Sequence, residues 1–394
     1  TIVKRFWIYF INTRGVFGSD LHMLRYFLQT NKKPYIFVDY KIDASLPWED
    51  VVLHLKTTLD TLLAKENSPL GVSIDVDKRC WRYQRPGQMD SILEYHTNAS
   101  DYHSTLDKLS RDYVFRVYSA GRRIGLLFDH TVFDGILLSQ QVVQPILGFR
   151  PFSNKMFMKD RYVPLISETL QFYALSKLAY HQVRSKPLPP LTQHSQSVVH
   201  HSWDIAVVKK IKQDNKCSLI DAMLAAYIEH VFQHLDQSYQ TIRTGVVIGF
   251  ENPRFRNNYS VCRVNLNRAC TTQDYVHQIH KQYKKNQHEI LPLYQVFSIH
   301  DLQTRFKSGL IDCLFSPLLF FPKDHLSYHL EQTRFFNVPC GTPLYVFANA
   351  FGNRLHCSTT IGTSALDQVG FAGDDGDVFH FSNDYQTVQS PALS

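Results

Sequence analysis

Several motifs that mark common enzyme classes are missing from the 394-residue sequence. It contains no Gly-x-Ser-x-Gly elbow, no Gly-x-x-x-x-Gly-Lys-Ser/Thr loop, no Gly-x-Gly-x-x-Gly turn and no His-Glu-x-x-His pair. These absences argue against α/β-hydrolases, P-loop nucleotidases, dinucleotide-binding enzymes and zinc proteases. Repeats of solenoid length are also missing, which argues against a repeat architecture.

Cysteine pairs and long apolar runs are scarce as well. The seven cysteines are widely separated, odd in number and without a Cys-x-x-Cys pair. This pattern favours free thiols in a reducing compartment, so we expect a cytoplasmic protein. The apolar run within residues 1–10 is too short to cross a bilayer, and we expect no transmembrane segment.

The charge is basic but dispersed. The net charge is +7 and the pI is near 8.9, yet the lysines and arginines are scattered along the chain. The balance permits an anionic ligand and does not indicate nucleic acid as a partner. Hydrophobic residues make up 44% and charged residues 20%, which is typical of a globular protein.

The length predicts two domains rather than one core. Residues 185–197 contain three prolines among polar residues, as expected of a segment that crosses between domains. We therefore predict a first half over residues 1–184, a crossing linker over 185–200 and a second half over 201–394.

One stretch carries groups suited to catalysis. The apolar run Ile124–Phe128 ends in polar residues that include His130, followed by Asp134 and Gly135. Residues 113–118 and the turn at 119–122 predict a hairpin before it. Residues 135–144 predict an amphipathic helix after it, with Pro145 and Gly148 as stop signals.

The spacing His130-x-x-x-Asp134-Gly135 resembles the signature of the coenzyme A-dependent acyltransferase superfamily. That superfamily includes chloramphenicol acetyltransferase, condensation domains and wax ester synthases. The resemblance implies an α/β fold of two chloramphenicol-acetyltransferase-like halves, with mixed sheets flanked by helices and a cleft or tunnel between them. It implies that His130 is the general base, Asp134 a structural partner of an arginine and Gly135 a close-packed turn. Asp129 departs from the pattern, because many members have a second histidine there.

The remaining sequence predicts elements in an order that resembles the same fold. Ser45 is expected to cap a helix with an apolar stripe that ends at Ala64. Ser218-Leu-Ile-Asp221 predicts a capping box before a long buried helix. Strands are predicted at residues 34–42, 71–76, 80–83, 244–250, 314–321, 342–349 and 351–360. Residues 369–377 look like a glycine and aspartate loop where the family usually has a helix.

No metal site is expected. His194, His200 and His201 lack a carboxylate or cysteine at a ligand-like interval, and a solvated loop would explain them. Asp374, Asp375 and Asp377 do not have the spacing of an EF-hand loop.

Two functions are therefore compared. The first is transfer of an acyl group from a thioester donor, acyl-CoA or another acyl thioester acting as co-substrate, to a small-molecule hydroxyl or amine acceptor. No permanently bound cofactor is implied, and the sequence does not identify the residues that would bind the donor. The second is a catalytically inactive protein of the same fold that serves as a binding or assembly subunit. Asp129 and the atypical C-terminal end favour the second, and the intact motif favours the first.

Overall fold

The structure is a computed structural model, and it describes a set of separate segments of the chain. They are residues 35–64, 70, 72–75, 80–83, 93–95, 115–130, 142–147, 158–159, 188–189, 195–251, 259–286, 311–317, 330–337, 342–351, 353–372 and 377–382. Among these, no helix is long and apolar enough to cross a membrane.

The described residues form fifteen strands and six helices. The strands are β1 (Tyr35–Ile42), β2 (Val72–Asp75), β3 (Cys80–Tyr83), β4 (Leu93–Tyr95), β5 (Phe115–Ala120), β6 (Arg123–Asp129), β7 (Met158–Lys159), β8 (Ser195–Asp204), β9 (Thr241–Glu251), β10 (Tyr259–Asn267), β11 (Cys313–Pro317), β12 (Leu330–Asn337), β13 (Leu344–Phe351), β14 (Arg354–Ile361) and β15 (Asp377–Ser382). The helices are α1 (Trp48–Leu63), α2 (Gln144–Leu147), α3 (Ile205–Asn215), α4 (Leu219–His234), α5 (Thr272–Asn286) and α6 (Gln368–Ala372).

The strands build two mixed sheets and a small hairpin. The first sheet has five strands in the order β12-β1-β6-β5-β4, and only β4 and β5 run parallel. The second has the order β10-β9-β11-β13-β14-β8-β15, with β7 paired to β9 as its eighth strand. β2 and β3 pair with each other. The predicted α/β fold with mixed sheets is thereby confirmed.

β12 connects the two sheets. It follows β11 of the second sheet in the chain, yet it pairs antiparallel with β1 at the edge of the first sheet. It also passes close to β13 and β14. The later part of the chain therefore completes the sheet that carries His130.

α4 covers one face of the second sheet, and the apolar residues of that face and of the helix form a core between them. The Ser218 hydroxyl accepts the backbone N–H of Asp221, and the Asp221 carboxylate accepts the N–H of Ser218, so the predicted capping box is present. This box starts a helix whose Met223, Leu224, Tyr227 and Ile228 are buried against the sheet. Alternate residues of the central strands, such as Val199, Ala348 and Cys357, meet them.

Several local predictions are wrong. Ser45 does not cap α1: the helix follows Pro47, and the Ser45 N–H donates to the Asp43 carboxylate. Pro145 does not stop a helix, because α2 continues through it. β8 begins at Ser195, so the last residues of the predicted linker are strand. Residues 368–372 form α6 instead of a loop, and Asp377 opens β15. How the chain divides into domains stays a prediction.

Candidate active site

His130 lies directly after the central strand of the first sheet. β6 ends at Asp129, which is paired with Tyr35 of β1 and is buried. His130 follows in a turn and is partly exposed. β1 and β5 flank β6 along its length, so the backbone that leads to His130 is held on both sides. Such support leaves a side chain little conformational entropy to lose when it engages a substrate.

The hairpin that leads into β6 is tightly fixed. Gly121 and Arg122 have φ values of 52° and 62°, which is the two-residue turn that suits the twist of a hairpin. The Arg122 guanidinium donates to the carbonyl oxygens of Asp43 and Leu46, the second at 2.7 Å. The predicted hairpin is confirmed, and it is anchored to the chain after β1.

An ion pair ties three strands of this sheet together. The Arg123 guanidinium lies 2.5 Å from the carboxylate of Asp39, whose side chain is only 1% exposed. The same guanidinium donates to the Gln332 side-chain oxygen at 3.3 Å. Since these residues lie on β6, β1 and β12, the contact fixes β12 against the sheet that positions His130.

Asp134 and Gly135 lie outside the described residues, as do residues 136–141 of the helix predicted over residues 135–144. The described chain resumes at Val142, which is buried together with Val143. There His54 of α1 is in hydrogen-bond contact with the Pro145 carbonyl at 3.4 Å. The roles assigned to Asp134 and Gly135 therefore stay predictions.

The face of the second sheet that points away from α4 is polar. Side chains alternate along a strand, so His200, Ser358 and Asn349 lie opposite the apolar residues that meet the helix. His200 Nδ1 and the Ser358 hydroxyl are 2.7 Å apart. The Asn349 amide is fully buried and makes no hydrogen bond within the part of the chain that the structure describes.

His356 belongs to the same polar face. It is buried, and burial, reinforced by the nearby Arg354, lowers its pKa to about 4. The expectation that His200 and His201 lie in a solvated loop is wrong, because both are buried in β8. The β-branched pair Val198 and Val199, with the aromatic Trp203 after them, was the local signal for this strand.

No group of His, Cys, Asp and Glu residues suited to a metal ion is found among the described segments. His194 and the aspartates at 374 and 375 lie outside them.

No family model and no curated protein sequence matches this chain. Solved structures do match it. The wax ester synthase/diacylglycerol acyltransferase from Marinobacter aquaeolei VT8 is 12% identical, with a TM-score of 0.53 over 89% of this chain and 95% of that one. The starter condensation domain of rhizomide synthetase, in complex with C8-CoA and Leu-SNAC, is 11% identical, with a TM-score of 0.53 over 91% of both chains.

A nonribosomal peptide synthetase, FmoA3, is 10% identical and has a TM-score of 0.57 over 88% of this chain, which spans 40% of that longer protein. At such identities the likeness is one of fold. The chain has the fold that acyltransferases and condensation domains share, as the resemblance implied.

Proposed function

We propose that this chain transfers an acyl group from a thioester donor to a hydroxyl or amine acceptor, with His130 as the general base. The observation that carries the proposal is the position of His130 at the end of the central strand β6, in a fold shared with an acyltransferase and a condensation domain along most of their lengths. Fold alone does not define chemistry, so the histidine is the necessary second element.

The chemistry follows from the properties of imidazole. Its unperturbed pKa of about 6.5 leaves it largely neutral near pH 7.5, so a ring nitrogen can accept the acceptor's proton. The acceptor oxygen or nitrogen then bonds to the thioester carbonyl carbon. When the carbon–sulfur bond breaks, the thiolate leaves and takes the proton back from the imidazolium. The products are an ester or amide and a free thiol, and His130 returns to its neutral form.

The nature of the donor belongs to the same proposal. One structural neighbour is a starter condensation domain solved with C8-CoA and Leu-SNAC, and another is a nonribosomal peptide synthetase. Acyl-CoA and an acyl thioester on another carrier are therefore both suitable donors. The dispersed positive charge of the chain is compatible with an anionic donor such as coenzyme A.

The test compares His130→Ala with the wild type on a panel of acyl-CoA and acyl-SNAC thioesters with hydroxyl and amine acceptors. Product formation is followed by mass spectrometry and the fold by thermal melting. Because positioned proton transfer contributes roughly a hundred- to ten-thousandfold, we expect a loss in turnover of that size with an unchanged melting temperature. His280→Ala is the matched control, since His280 is exposed on α5.

Two outcomes would contradict the proposal. If His130→Ala forms product at the wild-type rate, His130 is not the base. If the wild type consumes no thioester in the whole panel, the inactive binding or assembly subunit becomes the better account. One argument for that alternative is weaker than the sequence suggested, because α6 does provide a helix after the β13–β14 hairpin.

A further inference from the structure

Three histidines from two elements form a cluster on the helix-covered side of the second sheet. His201 comes from β8, and His230 and His234 lie one turn apart on α4. The ring centroids of His201 and His230 are 5.3 Å apart, and those of His230 and His234 are 4.8 Å apart. The cluster runs from the buried His201 to the partly exposed His234. We call these residues the histidine cluster.

Phe371 of α6 is inserted into the histidine cluster. Its side chain is fully buried, and its ring centroid lies 5.2 Å from that of His201, 4.7 Å from His230 and 6.2 Å from His234. The His230 Nε2–H donates to the Phe371 carbonyl at 2.8 Å. α6 has only five residues, and among its described side chains Phe371 is the most deeply buried.

Two further contacts hold the N-terminal end of α6. The Ser197 hydroxyl donates to the Gln368 side-chain oxygen at 2.6 Å, and the Asp367 N–H donates to the His234 carbonyl at 3.0 Å. Gly370 permits the close approach, since a Cβ there would lie 2.9 Å from His234 Nδ1. The helix thus rests on the cluster through Phe371 and a few polar contacts, and the buried Ala372 adds a contact with the apolar core.

The surroundings of His201 favour its neutral form. Both ring nitrogens are buried, and neither has a hydrogen-bond partner in the described part of the chain. The rings beside it belong to Trp203, His230 and Phe371, and Cys357 lies across from it on β14. Burial, and secondarily the neighbouring His230, lowers the pKa of His201 to about 3. Burial also lowers the pKa of His230. The hydrogen bond to Phe371 raises this pKa, and the nearby His234 lowers it.

The other titratable groups near the cluster do not compensate a proton on His201. Asp367 lies beside Gly370 and His234 at the outer end of the cluster, and its Oδ1 accepts the Gly370 N–H at 3.2 Å. The Tyr227 hydroxyl, on the inner side, is in contact with the Thr359 hydroxyl at 3.2 Å and stays neutral because burial raises its pKa. The Cys357 thiol also stays neutral, because burial raises its pKa.

We propose that α6 is a latch that opens in acid. The histidine cluster holds α6 through Phe371 while all three imidazoles are neutral, and α6 detaches when an imidazole of the cluster is protonated. The sign follows from linkage. A histidine that titrates normally in the released state and far lower in the latched state binds protons on release, so acid favours release. The opening is reversible and local, because the rest of the second sheet is held by its own ladder and core.

Hydrogen exchange measured by mass spectrometry at pH 7.5 and pH 5.5 tests the latch, after correction for intrinsic exchange rates. Protonation of His201 alone should raise the exchange rate of residues 366–372 about tenfold at pH 5.5. The reason is that pH 5.5 lies one unit below the pKa of about 6.5 expected for a histidine in the released state, and one unit corresponds to a tenfold change in the opening equilibrium. Amides of β13 and β14 should not change. His201→Phe keeps an aromatic ring that cannot be protonated, so most of this acceleration should disappear.

Further variants separate the latch from a folding defect. Phe371→Ala should give fast exchange in residues 366–372 at both pH values, and His280→Gln, on exposed α5, should behave as the wild type. If His201→Phe loses protection throughout the protein, the smaller His201→Leu replaces it. No acid-dependent acceleration in the wild type, an equal acceleration in the His201 variant, or acceleration across the whole second sheet would each overturn the latch.

Discussion

The Arg243 guanidinium binds the Asp312 carboxylate at two points inside the second sheet. Arg243 Nε donates to Oδ2 at 2.8 Å and Nη2 donates to Oδ1 at 2.6 Å, with both side chains 1% exposed. The carboxylate also accepts the backbone N–H groups of Arg243 at 2.9 Å and Leu188 at 3.1 Å. Asp312 therefore joins β9 to the segment that leads from the first half of the chain.

We expect Asp312→Ala to destabilise the protein by about 3–5 kcal/mol, because it leaves the buried Arg243 charge without compensation. The measurement is urea unfolding followed by circular dichroism. The control is Lys210→Ala, which breaks the exposed pair with Asp214 and should cost at most about 0.5 kcal/mol. A loss below about 1 kcal/mol for Asp312→Ala would show that water or another group replaces the carboxylate.

The edge strand β10 is covered by glutamines of α5. The Gln282 amide accepts the N–H of Asn265 at 2.9 Å and donates to its carbonyl at 2.7 Å, and Gln278 does the same at Asn267 with distances of 2.8 and 3.1 Å. Four residues of a helix rise about 6 Å and two residues of a strand about 6.7 Å, so the two spacings match. The side chains occupy the positions that a further strand would use.

Gln282→Ala should remove two hydrogen bonds and cost about 1–2 kcal/mol in unfolding free energy. The more specific expectation is faster amide hydrogen exchange at Asn265, with Asn267 still protected by Gln278. Lys281→Ala, next to it on the exposed side of α5, is the control. Unchanged exchange at Asn265 would mean that the backbone there does not depend on the glutamine.

Local signals in the sequence predicted a helix of the second half and a hairpin of the first sheet. The Ser218 and Asp221 pair correctly predicted the start of α4, because a capping box satisfies backbone groups within a span of four residues. The two-residue turn at Gly121 and Arg122 was also local, and the hairpin it joins was predicted correctly. Such features depend on neighbours in the chain, so one sequence is enough to find them.

Features that depend on distant partners were missed. β12 pairs with β1, almost three hundred residues away in the chain, and nothing in its own sequence indicates which sheet it joins. The burial of His200 and His201 depends on β14, which pairs with β8, and that of His201 depends also on α4 and α6. For the candidate site, the motif located His130, but the pairing of β6 with β1 could not be read from it.

The predicted structural role of Asp134 can be separated from a catalytic one. The resemblance implies an ion pair with an arginine, and removing one partner of a buried pair is strongly destabilising. Asp134→Asn should therefore lower the melting temperature as well as any acyl transfer. Asp214→Asn, at an exposed position, is the control. Lost turnover at an unchanged melting temperature would indicate instead that Asp134 contacts substrate.

His356 should make the protein less stable in acid. Its folded-state pKa is about 4, mainly because of burial and secondarily because of Arg354. An unfolded histidine titrates near 6.5, so its contribution to stability is fully present above pH 6.5 and is lost as pH falls toward 4. At pH 5 the loss should be about 2 kcal/mol.

His356→Gln cannot bind that proton, so its stability relative to the wild type should improve by this amount between pH 7.5 and pH 5. Urea unfolding of both proteins at the two pH values measures the change, and His280→Gln should leave it near zero. If the difference between wild type and His356→Gln is the same at both pH values, His356 does not titrate as its burial requires.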